Sequence, residues 1–235
     1  MNYEKKIYSQ HGEDGIIEFL ISKLKKSEKT FLEIGYSAGL QNNTLNLSKN
    51  HDWTGVGFDY RKQIVAPPKG VTVITKWLDI DSIDFILSQS GTDIDFYSID
   101  IDSIDFWLTV GLLDKGLNPK FVCVEICGSA GPNVSVAPPI REGIRYNKFY
   151  INGASIAAWK KFWNHRGYDF LTVDSSGINA FFYKKEYFDD SIDTYPTIDW
   201  IQPKKFLDFE EWKKVFTAQA TLEESSITGN ERLFK

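Results

Sequence analysis

Strand and helix signals alternate along this chain, and that alternation constrains its fold more than any other feature. EDGIIEFLISKL (13–24) carries apolar residues at helical spacing. TFLEIG (30–35) is a short apolar run closed by glycine and reads as a buried strand. NNTLNLSKN (42–50) follows as a helix, with Asn or Thr available to cap it. WTGVGFD (53–59) and GVTVITKW (70–77) are further strands, the second rich in β-branched residues. LDIDSIDFILSQSG (78–91) reads as a helix, DIDFYSIDI (93–101) as a strand and FWLTVGLLDKG (106–116) as a helix. PKFVCVEI (119–126) is a strand, GASIAAWKKFWNHRG (153–167) a helix, and 168–188 two strands joined by a glycine turn. This β-α-β-α order predicts an α/β, doubly wound, mostly parallel sheet with helices on both faces. The closing hairpin predicts an antiparallel strand at one edge. No linker divides the chain, so 1–235 is expected to be one domain. Residues 1–29 form an N-terminal helical segment. Residues 127–152, with three prolines and three glycines, form a loop far longer than an ordinary connection. Residues 189–235 form a C-terminal extension with one short helical signal at 209–219.

Hydrophobic residues make up 42% of the 235 and aromatic ones 15%, enough for a sizeable core. The net charge of −5 disfavours nucleic acid as a partner. No apolar leader opens the chain, and no run is long enough to span a membrane. Cys123 and Cys127, four apart on a strand, are too distant for a disulfide and have no histidine pair to make a zinc site. They read as buried core residues of a reduced, cytoplasmic protein.

In open parallel sheets ligands bind beyond the carboxyl ends of the strands. Acids stand at every such end: Glu33, Asp59, Asp79 with Asp81, Asp100 with Asp102, and Glu125. Carboxylates are seldom buried without partners, so the set calls for a polar ligand, a cation or exposure. Helix capping is an equal reading for Asp79 and Asp81. Gly35-Tyr36-Ser37-Ala38-Gly39 matches G-x-S-x-G, the nucleophile elbow of α/β-hydrolases. That reading needs an acid and then a histidine later in the chain. His51 and His165 are the only histidines after Ser37, and both fall at helix ends away from the carboxyl rim. The elbow would also follow the first strand, not several. The alternative is a glycine loop that lets backbone approach a cofactor closely. The nicotinamide fingerprint G-x-G-x-x-G is absent, which favours S-adenosyl-L-methionine (SAM) over NAD.

YSQHGEDGIIEFL, FLEIGYSAGLQNNTLNL, WTGVGFD, FYSIDIDSIDFW, PKFVCVEI, GASIAAW and GINAFF, taken in order, resemble the FkbM-like SAM-dependent methyltransferases over roughly residues 8–185. The resemblance implies a class I methyltransferase fold of seven strands. It also implies O-methylation of a sugar, sugar nucleotide or related small molecule in glycan or capsule biosynthesis. By position, Glu33, Gly35 and Gly39 line the methionine side of SAM, together with Tyr36, Ser37, Asn43 and Thr44. Asp59 holds the ribose, Asp79 faces the adenine, and Asp100 supports the cofactor side. Gln10 and Glu13 fold over the site, and Arg141, Arg145 and Tyr150 contact the substrate. Asp102, Glu125 and His11 are the candidate bases. Asp100, Asp102 and Glu125 are alternatively ligands for a divalent metal. Two departures from the family pattern stand out: Ser37 replaces a glycine, and Ser103-Ile104 replaces Gly-Asn. They leave a SAM-binding pseudoenzyme, or binding module without catalysis, as the main alternative, with a nicotinamide-dependent oxidoreductase behind it.

Overall fold

The structure, a computed structural model, describes residues 3–102, 104–138, 153–189 and 192. Arg141, Arg145, Tyr150, Ser103 and the 209–219 segment lie outside the described residues. The elements follow the expected alternation. They are α1 (Glu13–Lys23), β1 (Thr30–Ile34), α2 (Leu45–Asn50), β2 (Thr54–Asp59), β3 (Val71–Thr75) and α3 (Ile83–Ser90). After these come β4 (Asp93–Ile99), α4 (Asp105–Asp114), β5 (Asn118–Glu125), α5 (Ile156–His165), β6 (Asp169–Val173) and β7 (Asn179–Tyr183).

The seven strands form one sheet in the order β3-β2-β1-β4-β5-β7-β6. The first five run parallel. β7 is antiparallel to both β5 and β6. The antiparallel strand therefore lies one place in from the edge, and the edge strand is β6. A tight hairpin makes consecutive strands antiparallel, and β7 takes the inner place because its run NAFFY is buried at every position, whereas β6 opens with exposed Asp169.

Strand alternation sends side chains to two separate cores. Leu32, Ile34, Phe58, Tyr97, Ile99, Val122 and Val124 pack under α3, α4 and α5, against Phe106, Trp159 and Trp163. Phe31, Phe96, Phe121 and Phe181 point the other way, onto Ile16 and Leu20 of α1 and Leu47 of α2. Phe31, Phe96 and Phe121 stand opposite one another on neighbouring strands, and the last two rings stack at 4.6 Å. Cys123 and Cys127 are buried and form no disulfide with one another. No helix among the described residues is long and apolar enough to cross a membrane.

The chain winds from β1 outward to β3, then returns to lay β4 on β1's other side. The crevice between the carboxyl ends of β1 and β4 is the switch point where such sheets take ligands.

Candidate active site at the carboxyl edge

The loop leaving β1 is pressed into this crevice. Gly35 and Tyr36 both donate their N–H groups to the Phe58 carbonyl, at 2.8 and 2.9 Å. Gly35 has φ 98°, and a Cβ placed on it would lie 1.9 Å from the Asp100 carbonyl oxygen. Ser37, Ala38 and Gly39 continue with φ of 41°, 53° and 83°. Two consecutive left-handed non-glycine residues carry backbone strain, which persists only where the surroundings enforce it. No base touches the Ser37 hydroxyl among the described residues. His51 faces Glu18 at 3.3 Å and His165 ends α5, which removes the hydrolase reading.

Glu33 is buried and committed to the start of α2. Its oxygens accept from the Asn43 N–H at 2.8 Å, the Thr44 N–H at 3.2 Å and the Thr44 hydroxyl. Burial pushes its carboxyl up to about 7, against the pull of those hydrogen bonds. The Asn43 amide donates to the Ser98 hydroxyl at 3.0 Å, so it ties α2 to β4. Tyr36, expected on the cofactor side, is instead a core residue: its ring is fully buried. The space for it comes from Gly57, where a Cβ would lie 2.5 Å from the ring. Burial raises its phenol.

Asp59 closes β2 as expected, but with a partner that sequence reasoning missed. Arg61 grips it through Nε at 3.0 Å, a terminal nitrogen at 2.9 Å and its own backbone N–H at 2.7 Å. Burial raises the Asp59 carboxyl, and Arg61 more than reverses this, leaving it below the ordinary range. Asp79 caps the turn before α3: it accepts from Ser82 Oγ at 2.6 Å while Ser82 Oγ accepts from the Asp79 N–H. Beside the glycine loop, both side-chain polar atoms of Gln63 are buried without a partner, and Gln63 Oε1 lies 3.2 Å from where a Gly39 Cβ would stand. Tyr60 and Trp77 form an exposed aromatic pair with centroids 5.6 Å apart.

On the other side of the crevice, one carboxylate oxygen each from Asp100, Asp102 and Glu125 lies within 4.8 Å of the others. The sequence predicts this through a regular strand reaching Ile101, with both aspartates on one face. The strand stops at Ile99 instead. The Ile101 N–H donates to Asp105 Oδ1 at 2.8 Å, and Asp102 turns to φ 59°. Asp105, a fourth acid visible in the run IDIDSID but not singled out, therefore shapes the trio. Glu125 is fixed from behind: its carbonyl accepts from Trp159 Nε1 at 2.9 Å. Burial, then repulsion from Asp105 and Asp102, pushes Asp100 up to about 7. Burial, then Asp100, raises Glu125 well above the carboxylate range. No ion pair joins a cation to these three among the described residues, and Glu125 Oε2 is buried without a partner.

Glu13 is buried at the start of α1. It accepts from the Asn179 amide at 2.7 Å and the His11 N–H at 2.8 Å, and Asn179 stands opposite Glu125 in the sheet register. Gln10 and His11 lie further out, on the wall of a separate cavity.

Acids held above their ordinary pKa bind more protons folded than unfolded, so stability falls as pH rises through that interval. Glu33 and Asp100 move from 4.5 and 3.8 to about 7. The urea-unfolding free energy is expected to be about 1–3 kcal/mol higher near pH 5.5 than near pH 8, at about 1.4 kcal/mol per pKa unit. Glu125→Gln should flatten this slope; a stability that rises with pH over the same interval contradicts the assignment.

No protein-family model matches the chain. No curated protein matches it either. Several solved structures resemble it at low identity. The O-methyltransferase from Bacillus cereus in complex with SAH is 20% identical, with 66% of this chain and 72% of that one covered and a TM-score of 0.43. A SAM-dependent methyltransferase from Aquifex aeolicus is 14% identical over 73% of this chain and 87% of that one, with a TM-score of 0.40. The MycE methyltransferase of the mycinamycin biosynthetic pathway, in complex with Mg and SAH, is 15% identical with a TM-score of 0.47. It matches 94% of this chain, which spans only 57% of that protein's length.

Proposed function

We propose that the chain is a SAM-dependent methyltransferase that methylates a hydroxyl of a sugar or related small molecule, of the FkbM-like type. One observation carries this reading. At a single switch point a close-approach glycine loop and a β2-terminal acid stand on one side, and three converging carboxylates stand on the other. The ordered series of sequence blocks supports it.

The residues on the cofactor side fit SAM. Gly35 lets the loop pass tightly against the Asp100 carbonyl and so shapes the rim, the unpartnered Gln63 amide beside Gly39 offers a donor and an acceptor, and the rings of Tyr60 and Trp77 offer faces for adenine. Asp59 would hold the ribose hydroxyls once Arg61 yields an oxygen. Glu33 would act through Asn43 and Thr44, by holding the start of α2 in place. When bound, the cofactor supplies an electrophilic methyl group on a sulfonium. The remaining work falls to this chain: to align the acceptor oxygen and take its proton. Asp102 is the exposed member of the trio and best placed to receive that proton. Asp100 and Glu125, both held toward the protonated form, would tune it. The same trio, with the free Glu125 Oε2, also fits a divalent cation that would acidify the hydroxyl.

Calorimetry and a methyl-transfer assay test the cofactor half. Asp59→Ala is expected to weaken SAM by about 1.5–3 kcal/mol, the scale of hydrogen bonds to a charged group. Arg61→Ala, which removes the guanidinium from both Asp59 oxygens and leaves the backbone N–H on Oδ1, should not weaken it. Unchanged SAM affinity in Asp59→Ala would refute the ribose assignment.

A further inference from the structure

A second polar space opens on the same rim, beyond β5. The N-terminal segment runs over the β6–β7 turn and is tied down tightly. Asp14 Oδ2 accepts from the N–H groups of Ile7, Tyr8 and Ser9 at 2.8, 2.6 and 2.7 Å. Lys5 exchanges backbone hydrogen bonds with Gly12 and Gly15, each at 3.1 Å, and the Ser175 N–H donates to Glu4 Oε1. Between segment and turn lies a cavity of about 410 Å³, lined by Lys5, Lys6, Gln10, His11, Ser175 and Ser176. That volume falls within the usual range for a small-molecule site, about 300–1,000 Å³.

The lining selects the ligand. Apolar residues are absent from it. Its single carboxylate, Glu4, is drawn to the Ser175 N–H. Among the described residues no carboxylate pairs with Lys6, and Lys5 reaches only Glu18, at 3.7 Å. His11 Nε2 is buried with no partner. Two lysines, a histidine, a glutamine and two serines thus line one space in a chain of net charge −5, with the Ser176 hydroxyl donating to Asp174 Oδ1 at 2.6 Å. Glu13 links this space to the carboxylate trio through His11 on one side and Asn179 on the other.

We propose that this cavity binds the anionic group, phosphate or carboxylate, of a sugar acceptor, so that Lys5 and Lys6 select a charged sugar. The proposal rests on the methyltransferase reading for the acceptor's role, but anion binding can be measured without turnover. The whole chain, with SAH present, is titrated calorimetrically with glucose 1-phosphate, glucuronate and glucose. Saturable binding of one or both anionic sugars is expected, with none for glucose. The phosphate and the uronate arms identify which anion is preferred. Lys5→Ala/Lys6→Ala should weaken that binding about tenfold or more, as should raising salt to about 0.5 M, while SAH affinity stays unchanged. Both lysines are exposed, so the double variant is expected to fold. Absence of binding by both anionic sugars, binding that survives the double variant, or equal binding of glucose overturns the proposal. SAH bound with no anion bound overturns the cavity proposal alone. Anion bound without SAH overturns the methyltransferase reading and leaves the anion site standing.

Discussion

Gly35→Ala is expected to destabilise the chain by about 2–6 kcal/mol and to abolish cofactor binding in whatever still folds. The left-handed backbone contributes about 1–3 kcal/mol of strain once a side chain is present. The new Cβ, 1.9 Å from the Asp100 carbonyl, adds an overlap costing about 1–3 kcal/mol more. Asp100 cannot retreat freely, because its N–H donates to the Ile34 carbonyl at 2.9 Å. Total stabilities of about 5–15 kcal/mol leave little margin for such a loss. Urea unfolding reads the effect. Gly91→Ala is the contrast: that glycine also has positive φ, but its Cβ would meet nothing within 4 Å. Its cost should be limited to the strain. Equal costs at the two positions would mean that contact with Asp100 plays no part.

The second large effect concerns chemistry. Asp102→Asn keeps shape and exposure but removes the charge and the basic site. It is expected to lower methyl transfer by about 10²–10⁴-fold, the range of general acid–base catalysis, while SAM affinity stays within a few-fold. Glu125→Gln should also lower turnover, because it removes one of the three converging carboxylates. Transfer near wild type in Asp102→Asn sinks the assignment. Chelation by EDTA then separates the two roles of the trio. Insensitivity leaves a direct base; loss restored by Mg²⁺ or Mn²⁺ points to a cation.

The architecture was legible because strand and helix periods differ and the chain keeps them distinct. Runs such as FVCVE and DIDFYSI need burial on both faces, which a parallel sheet between helices provides. The carboxyl-end rule then brought Glu33, Asp59, Asp100 and Glu125 to one rim without any knowledge of contacts. What remained hidden depends on partners distant in sequence or on local backbone turns. Strand periodicity cannot show that Asp105 captures the Ile101 N–H and ends β4 early. Nor can it show that Gly57, two strand positions before Asp59, makes room for the Tyr36 ring and removes it from the loop's polar face. Arg61 lies only two residues from Asp59, yet arginine is ordinary in a surface loop, and nothing in DYRK marks a bidentate pair. The cavity joins residues 4–12 to 175–176, a pairing that no local pattern contains.

The central claim is that the crevice between β1 and β4 takes SAM. Isothermal titration of the whole chain with SAM, and separately with NAD, tests it most directly. The account predicts saturable binding of SAM, weakened by Asp59→Ala, and no binding of NAD. Binding of NAD without SAM would contradict it.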